Sequence, residues 1–281
     1  MTYFELKKYI SEKLVATSGE LSDYEALLFI ERLCGISRAE LLMRMHDEAH
    51  FDEKLLENML ARRTKGEPAE YILGETVFFD LRIGLTRDCL IPRADTEFVC
   101  EKALSLLPEN ARAADLCTGS GCIAVSVLKR RPDCTAVGVD VSAMALRYAS
   151  ENARRNGVTD RVTFTEADIL DPAVPEKLFS DGGFAAILSN PPYIKCSAAS
   201  ELEPELSFEP ALALFGGEDG LVFYRAAVSG FLPYVMKGGF ALFEIGYDLG
   251  EDMRKLCAEN GYECKVEKDL AGLDRLVYVK L

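Results

Sequence analysis

The sequence contains no tryptophan and only two histidines, and it has far fewer basic than acidic residues. Its 32 lysines and arginines stand against 46 aspartates and glutamates, which gives a net charge of −14. Most of such a surface repels a phosphate backbone, so the charge disfavours nucleic acid as a direct partner. A run of about 18 apolar residues is absent, as is a signal-peptide pattern. We therefore expect a cytoplasmic protein that does not bind a membrane.

The cysteines and histidines do not form a metal-binding pattern. The nine cysteines are scattered, and no two have the C-x-x-C spacing, which indicates reduced thiols rather than a disulfide or zinc framework. His46 and His50 in HDEAH would share a helix face, as in a helical zinc pair. Asp47 stands where the metalloprotease pattern requires glutamate, and no third ligand is near. We expect two surface histidines at a helix end and no metal.

The 281 residues, 49% of them hydrophobic, suffice for one large and one smaller domain. Residues 3–65 contain four apolar-periodic segments with polar starts and glycine stops, which predict a small helical bundle. Between Glu67 and Pro92, YILGETVFFDLRIGL alternates apolar residues between turn signals and predicts a β-hairpin. We expect a helical domain at 1–66, a hairpin linker at 67–92 and a second domain at 93–281.

From Asp95 onward, predicted helices and strands alternate along the chain, and one of the predicted helices covers residues 221–235. This alternation indicates βαβ units, which form a parallel sheet with helices on both faces. The last two strands, YECKVEKD and RLVYVKL, have no helix between them, so one of them should be antiparallel. The predicted fold class is α/β, with a doubly wound, mostly parallel seven-stranded sheet preceded by the helical bundle and the hairpin.

Residues that follow the strands are the candidates for ligand binding, because open α/β sheets bind ligands beyond the carboxyl ends of their strands. DLCTGSGCIA after the first strand places Gly119 and Gly121 in a tight turn before a helix. Asp140 ends the second strand. An acidic residue at this position binds the ribose hydroxyls of NAD or of S-adenosyl-L-methionine (SAM). The alternative is that Asp140 only caps the following helix. Asp168 follows the third strand and either accepts a hydrogen bond from an adenine amino group or caps a loop.

The fourth strand ends in NPPY, residues 190–193. Two prolines remove two N–H donors but keep their carbonyls, and Pro191 forces Asn190 into an extended conformation. The corner thus presents the Asn190 side-chain oxygen and the Pro191 carbonyl beside the ring of Tyr193. These groups suit a planar NH2 group, whose two N–H bonds need two acceptors. Fixed acceptors also favour the positive charge that develops on such a nitrogen during methyl transfer. The alternative is a rigid turn.

The glycine loop, the acid and N-P-P-Y occur in the order that is typical of class I SAM-dependent methyltransferases, which the sequence resembles. N-P-P-Y alone leaves two targets open, the exocyclic amine of adenine and the side-chain amide of glutamine. Longer segments, after a helical domain, resemble the peptide chain release factor glutamine N5-methyltransferases: LIPRADTE, DLCTGSGCIAVS, VDVSAMAL, SNPPYI, LSFEPALALFGGEDGL, FEIGYDLG and KDLAGLDRLV.

The resemblance implies that a SAM-dependent enzyme methylates the glutamine of the Gly-Gly-Gln loop of class 1 release factors and releases S-adenosyl-L-homocysteine. The helical domain would help to hold the release factor. The implied cofactor contacts are Cys117, Thr118, Gly119, Ser120, Gly121, Asp140, Asp168 and Asn190. The implied substrate contacts are Asn190, Pro191, Pro192, Tyr193, Phe78, Arg93 and Glu97, of which Asn190, Pro191 and Tyr193 would be catalytic.

Two residues depart from the family pattern. Ala94 stands where proline is usual, which should only loosen a turn, and Cys117 stands where glycine is usual, which requires that this position avoid positive φ. Three other functions stay open. The first is glutamine methylation of a ribosomal protein, but in the family of those enzymes the segment after P-R differs from the D-T-E at Asp95–Glu97 of this sequence. The second is adenine-N6 methylation of DNA or RNA, which the negative net charge disfavours. The third is a cofactor-binding module without catalysis, which would not need the acceptor-lined corner.

Overall fold

The computed structural model describes residues 1–179 and 183–281, which form two compact units. The smaller unit comprises Met1–Gly74 and Glu203–Phe208, and the larger one Glu75–Leu202 and Glu209–Leu281. The hairpin belongs to the larger unit. The functional division into a recognition domain, a linker and a catalytic domain stays a prediction.

The smaller unit is built from helices α1 (Tyr3–Ser18), α2 (Ser22–Cys34), α3 (Arg38–Met43), α4 (Glu53–Arg63) and α5 (Ala69–Leu73). Capping boxes start α1 and α3, where Thr2 pairs with Glu5 and Ser37 with Glu40. The apolar stripe of α1 is fully buried and belongs to the same core cluster as Phe29 of α2. The predicted helical bundle is confirmed.

The hairpin is confirmed, but it begins later than the sequence pattern predicts. Strands β1 (Glu75–Phe78) and β2 (Leu81–Gly84) pair antiparallel. Tyr71–Leu73, in the alternating stretch, instead belongs to α5. Gly74 ends that helix at φ 76°, and its N–H donates to the Glu70 carbonyl at 2.8 Å. A glycine in this left-handed conformation is a common helix stop, and it outweighs the short alternation.

The larger unit contains a seven-stranded sheet. Its strands are β3 (Arg112–Leu116), β4 (Thr135–Asp140), β5 (Val162–Glu166), β6 (Phe184–Ser189), β7 (Val235–Glu244), β8 (Cys264–Lys268) and β9 (Asp274–Lys280). Their order in the sheet is β5-β4-β3-β6-β7-β9-β8. Strand β9 runs antiparallel to both neighbours, β7 and β8, whereas the other neighbouring pairs are parallel, so the prediction of one antiparallel strand is confirmed.

The helices of the larger unit complete the predicted alternation. They are α6 (Glu97–Leu106), α7 (Cys122–Arg130), α8 (Ala143–Asn156), α9 (Val174–Phe179), α10 (Ala211–Leu214), α11 (Val222–Ala226) and α12 (Gly250–Glu259). The single helix predicted at 221–235 is α11 followed by a π-helical turn at Ala227–Phe231 and a 3-10 turn at Leu232–Tyr234. The predicted α/β class is confirmed.

Every residue of β6 is buried, as a central parallel strand requires. The strand order reverses between β3 and β6, because β4 and β5 extend the sheet on one side and β7 on the other. At such a reversal the loops after the two strands diverge and leave a crevice. The glycine loop and N-P-P-Y follow β3 and β6.

Candidate functional site

A cavity of about 230 Å³ lies at the carboxyl ends of β3, β4 and β6. Five of the residues that the sequence predicts as cofactor contacts line it, namely Cys117, Gly119, Asp140, Asp168 and Asn190. The predicted substrate contact Pro192 lines it as well. The structure thus brings together residues from the ends of three strands and from the loop after β5.

The glycine loop has a run of left-handed residues that includes Cys117. The φ angles of Cys117, Gly119 and Gly121 are 57°, 55° and 77°. The prediction that Cys117 avoids positive φ is therefore wrong. For a residue other than glycine this conformation costs about 1 to 2 kcal/mol. The next residue is held in place, because the N–H of Thr118 donates to the Val139 carbonyl at 3.0 Å.

Hydrogen bonds of Thr118 and Ser120 hold the glycine loop against its neighbours. The Thr118 hydroxyl donates to Asp115 at 2.6 Å, and the N–H of Ala124 donates to the same oxygen at 3.1 Å. Burial raises the pKa of Asp115 to about 7. The Ser120 carbonyl accepts a hydrogen bond from Asn152 at 2.9 Å. Cofactor contacts of Thr118, Ser120 and Gly121 stay predictions.

Asp140 and Asp168 both face the cavity and also hold their own loops. Asp140 accepts hydrogen bonds from the N–H groups of Gly119 at 2.8 Å and Ser142 at 2.9 Å, and burial raises its pKa. Asp168 accepts one from the N–H of Leu170 at 2.9 Å. The capping role of Asp168 is therefore present, and its contact with adenine stays a prediction.

The N-P-P-Y corner is packed against a glycine-rich segment after α10. The N–H of Ile194 donates to the Leu214 carbonyl, and the N–H of Gly216 donates to the Ile194 carbonyl, both at 2.9 Å. A Cβ atom at Gly216 would lie 2.6 Å from the Pro192 carbonyl oxygen and 2.9 Å from the Tyr193 Cα. Only glycine therefore fits at position 216 without displacing the corner.

A buried hydrogen-bond series leads away from Asn190. Its side-chain amide nitrogen donates to the Thr96 hydroxyl at 3.0 Å, and that hydroxyl donates to Glu244 at 2.6 Å. The Tyr193 hydroxyl approaches the other oxygen of Glu244 at 3.5 Å. Burial raises the pKa of Glu244 to about 7. The Asn190 side-chain oxygen remains as an acceptor beside the cavity.

The three remaining predicted substrate contacts have structural partners. Phe78 is 1% exposed within the hairpin. Glu97 accepts a hydrogen bond at 2.8 Å from the N–H of Phe79, whose φ of 48° places it in the tight hairpin turn. Arg93 forms an ion pair with Glu209. Substrate contacts of Phe78, Arg93 and Glu97 stay predictions.

Curated relatives match nearly the whole chain. The chain is 38% identical to a release factor glutamine methyltransferase of Neisseria gonorrhoeae over 93% of its own length and 94% of that protein. It is 37% identical to one of Thermodesulfovibrio yellowstonii over 83% of its own length and 82% of the relative. The chain belongs to the release factor glutamine methyltransferase family.

Two family models match this member of the release factor glutamine methyltransferase family. The PrmC N-terminal domain covers residues 5–74, and the methyltransferase small domain covers residues 98–206. A methyltransferase structure from Pyrococcus furiosus shares the fold, with a TM-score of 0.53 at 18% identity over 80% of this chain and 98% of that one.

Two cavity walls of this methyltransferase family member were not predicted from sequence. One consists of residues 88–90 and the other of residues around α10. Glu209 ties them together, because it accepts a hydrogen bond from the N–H of Ile91 at 3.0 Å and pairs with Arg93. In the sequence, the segments LIPR and FEP contain the residues of this contact, Ile91, Arg93 and Glu209, and they are the signal from which these walls could have been found. The lining residues outside the prediction are Asp88, Cys89, Leu90, Val139, Val141, Ser142, Ala145, Ala167, Ile169, Pro210, Leu212, Ala213 and Phe223.

The two histidines lie on the surface after the end of α3, as the sequence predicts. Across residues 1–179 and 183–281, no cluster of three or more His, Cys, Asp or Glu side chains is placed to hold a metal ion. None of the helices in these same ranges combines the length and the apolar character that a membrane crossing requires.

Proposed function

We propose that this protein transfers a methyl group from SAM to the side-chain amide nitrogen of the glutamine in the Gly-Gly-Gln loop of class 1 release factors. Membership of the release factor glutamine methyltransferase family supports this activity, as does the resemblance of the N-P-P-Y and D-T-E segments. The observation that carries the proposal is the Asn190 amide, which is held with its oxygen directed away from Thr96 at the edge of the cavity.

The residues around the cavity fit SAM. Asp140 stands at the end of β4, where its remaining lone pairs can accept hydrogen bonds from ribose hydroxyls. A Cβ at Gly119 would meet nothing within 4 Å, so a ligand can approach the loop backbone closely. Val141, Ile169 and Ala213 offer apolar surface for a flat base. When bound, SAM supplies a methyl group on a positively charged sulfur, and S-adenosyl-L-homocysteine remains after transfer.

The N-P-P-Y corner supplies what a glutamine amide needs in order to react. Its nitrogen is a weak nucleophile, because its lone pair is delocalised into the carbonyl. The Asn190 oxygen and the Pro191 carbonyl would accept its two N–H bonds, and the ring of Tyr193 would form a flat wall. Acceptors held in advance stabilise the positive charge that develops on the nitrogen and orient it toward the methyl group.

The partner in this proposal is a protein, and the helical unit would contribute to its recognition. That unit matches the PrmC N-terminal domain, and it exposes large apolar side chains, among them Phe4, Tyr24 and Met43. The net charge of −14 favours a basic partner domain and repels free nucleic acid. Binding should therefore weaken as salt is added. A location in the cytoplasm, where translation terminates, is part of the proposal.

The test is a methyl-transfer assay with labelled SAM and three acceptors offered separately: a class 1 release factor, a ribosomal protein and DNA. We expect label in the release factor, and a loss of about 100-fold or more in Asn190→Ala. Asn260→Ala, after the end of α12, is the matched control and should keep full activity. Label only in the ribosomal protein or in DNA would contradict the proposed substrate.

A further inference from the structure

Asn190, Thr96 and Glu244 lie far apart in sequence but form a continuous hydrogen-bond series in the larger unit, which we term the Glu244 network. Asn190 follows β6, Thr96 ends the 3-10 turn before α6, and Glu244 is the last residue of β7. Thr96 and Glu244 are each 1% exposed. Water therefore does not compete for their hydrogen bonds, and each buried donor or acceptor must find its partner within the series.

The donor and acceptor roles in this series follow from the carboxylate. An ionised Glu244 can only accept, so the Thr96 hydroxyl must point its single hydrogen at it across 2.6 Å. The Thr96 oxygen can then only accept from Asn190, so the amide group at 3.0 Å must be the NH2 end. The Asn190 oxygen consequently points the other way, toward the place of the substrate amide.

Loss of the carboxylate charge removes this constraint. A protonated Glu244 can donate its own hydrogen to Thr96, which frees the hydroxyl to donate to Asn190 instead. The Asn190 amide can then turn over and present its NH2 group to the substrate NH2 group. Two donors face each other in that arrangement, and the acceptor that orients the reacting nitrogen is lost.

We propose that Glu244 is a positioning residue that acts through Thr96 to hold the Asn190 side-chain oxygen toward the substrate amide. The inference rests on the proposed function, because it assigns the network a role in orienting a planar NH2 group. Glu244 touches neither substrate nor cofactor in this role. Asn190 also lines the cofactor cavity, so the effect is expected to be much larger in turnover than in cofactor affinity.

The surroundings of Glu244 make its charge dependent on pH near neutrality. Burial is the main cause of a pKa near 7, and Asp95 raises this pKa, whereas Thr96, Arg275 and Tyr193 lower it. The carboxyl group is thus ionised above about pH 7 and protonated below it. The other groups close to Glu244 are Tyr224, whose hydroxyl donates to its main-chain carbonyl at 2.6 Å, and the buried thiol of Cys122.

The first test compares two substitutions at position 96. Thr96→Val keeps the shape but removes the hydroxyl, so kcat for the release factor should fall about 10-fold to 100-fold. Thr96→Ser restores the hydroxyl and should recover most of kcat. SAM affinity, measured by calorimetry, should stay within about three-fold in both, which also reports on folding. Tyr224→Phe in α11 is the control and should keep kcat, because it removes a hydrogen bond to the main chain of Glu244 but leaves the carboxylate in place.

The second test follows kcat against pH at saturating substrates. The wild-type kcat should fall below about pH 7, and Glu244→Gln should lose this acid limb, because the titrating group is gone. Glu244→Gln should lower kcat when Thr96 is present and change it less than about two-fold in the Thr96→Val background. Three results would overturn the inference. Glu244→Gln could lower kcat equally in the wild-type and Thr96→Val backgrounds, Glu244→Gln could keep the acid limb unchanged, or Thr96→Val could keep full kcat. A wild-type enzyme with no transfer to the release factor would instead overturn the proposed function.

Discussion

Replacing Gly216 by alanine should displace the N-P-P-Y corner without changing the residues of N-P-P-Y. The added Cβ would lie 2.6 Å from the Pro192 carbonyl oxygen, whereas contacts below 3.0 Å essentially do not occur for real Cβ atoms. The two backbones must therefore separate by about 0.4 Å or more. A 1 Å misplacement of reacting groups costs about 100-fold, so a shift of this size should lower kcat about 5-fold to 10-fold.

The assay is steady-state methyl transfer to the release factor, together with thermal unfolding. Gly230→Ala is the matched control, because neither glycine has a positive φ and a Cβ at Gly230 would meet its nearest atom at an ordinary 3.5 Å. We expect Gly216→Ala to lose about 1 to 3 kcal/mol of stability through overpacking, and Gly230→Ala to lose neither stability nor kcat. Equal kcat in the two variants would show that Gly216 does not set the position of the corner.

Three further substitutions test the cavity and its supports. Asp140→Ala should weaken SAM binding by about 1 to 3 kcal/mol in calorimetry, whereas the exposed Asp160→Ala should not; equal affinities would remove Asp140 from the ribose site. Tyr193→Phe should keep kcat within about five-fold, because its hydroxyl makes only a 3.5 Å contact; a loss as large as that of Asn190→Ala would give the hydroxyl a direct role. The raised pKa of Asp115 means that its stabilising contribution is complete below the ordinary value of 3.8 and is lost as pH rises through about 7. Over that window the free energy of unfolding of wild type should fall relative to Asp115→Asn by up to about 1.4 kcal/mol per pH unit, and parallel curves in denaturant titrations would contradict this.

The placement of Asp140, Asp168 and Asn190 could be predicted from the sequence because it depends on order and period alone. Alternating helices and strands indicate a parallel sheet, and a parallel sheet brings the residues after its strands to one edge. The cavity at the ends of β3, β4 and β6 follows from that rule. Local pattern was sufficient at these three positions.

The contacts that hold the site could not be predicted in the same way. Thr96 and Glu244 are 148 residues apart, and nothing in either segment indicates that a hydroxyl meets a carboxylate there. Gly216 was visible as part of FGGEDG, but its closeness to Pro192 depends on how two irregular segments pair, which periodicity does not describe. Such contacts are set by tertiary packing.

Cys117 shows the limit of reasoning from residue type. A cysteine in a glycine position predicts a negative φ, whereas the observed φ is 57°. The hydrogen bonds of Thr118 to Val139 and Asp115 fix the path of the loop. The backbone therefore keeps the left-handed conformation despite its cost, because the surrounding bonds determine it.

The position of the transferred methyl group tests the proposed glutamine substrate most directly. A class 1 release factor and its variant with the Gly-Gly-Gln glutamine changed to alanine are each incubated with the enzyme and SAM, and their peptides are analysed by mass spectrometry. We expect one methyl group on that glutamine and none in the alanine variant. Methylation that persists in the alanine variant, or that lies on another residue, would contradict the proposed substrate.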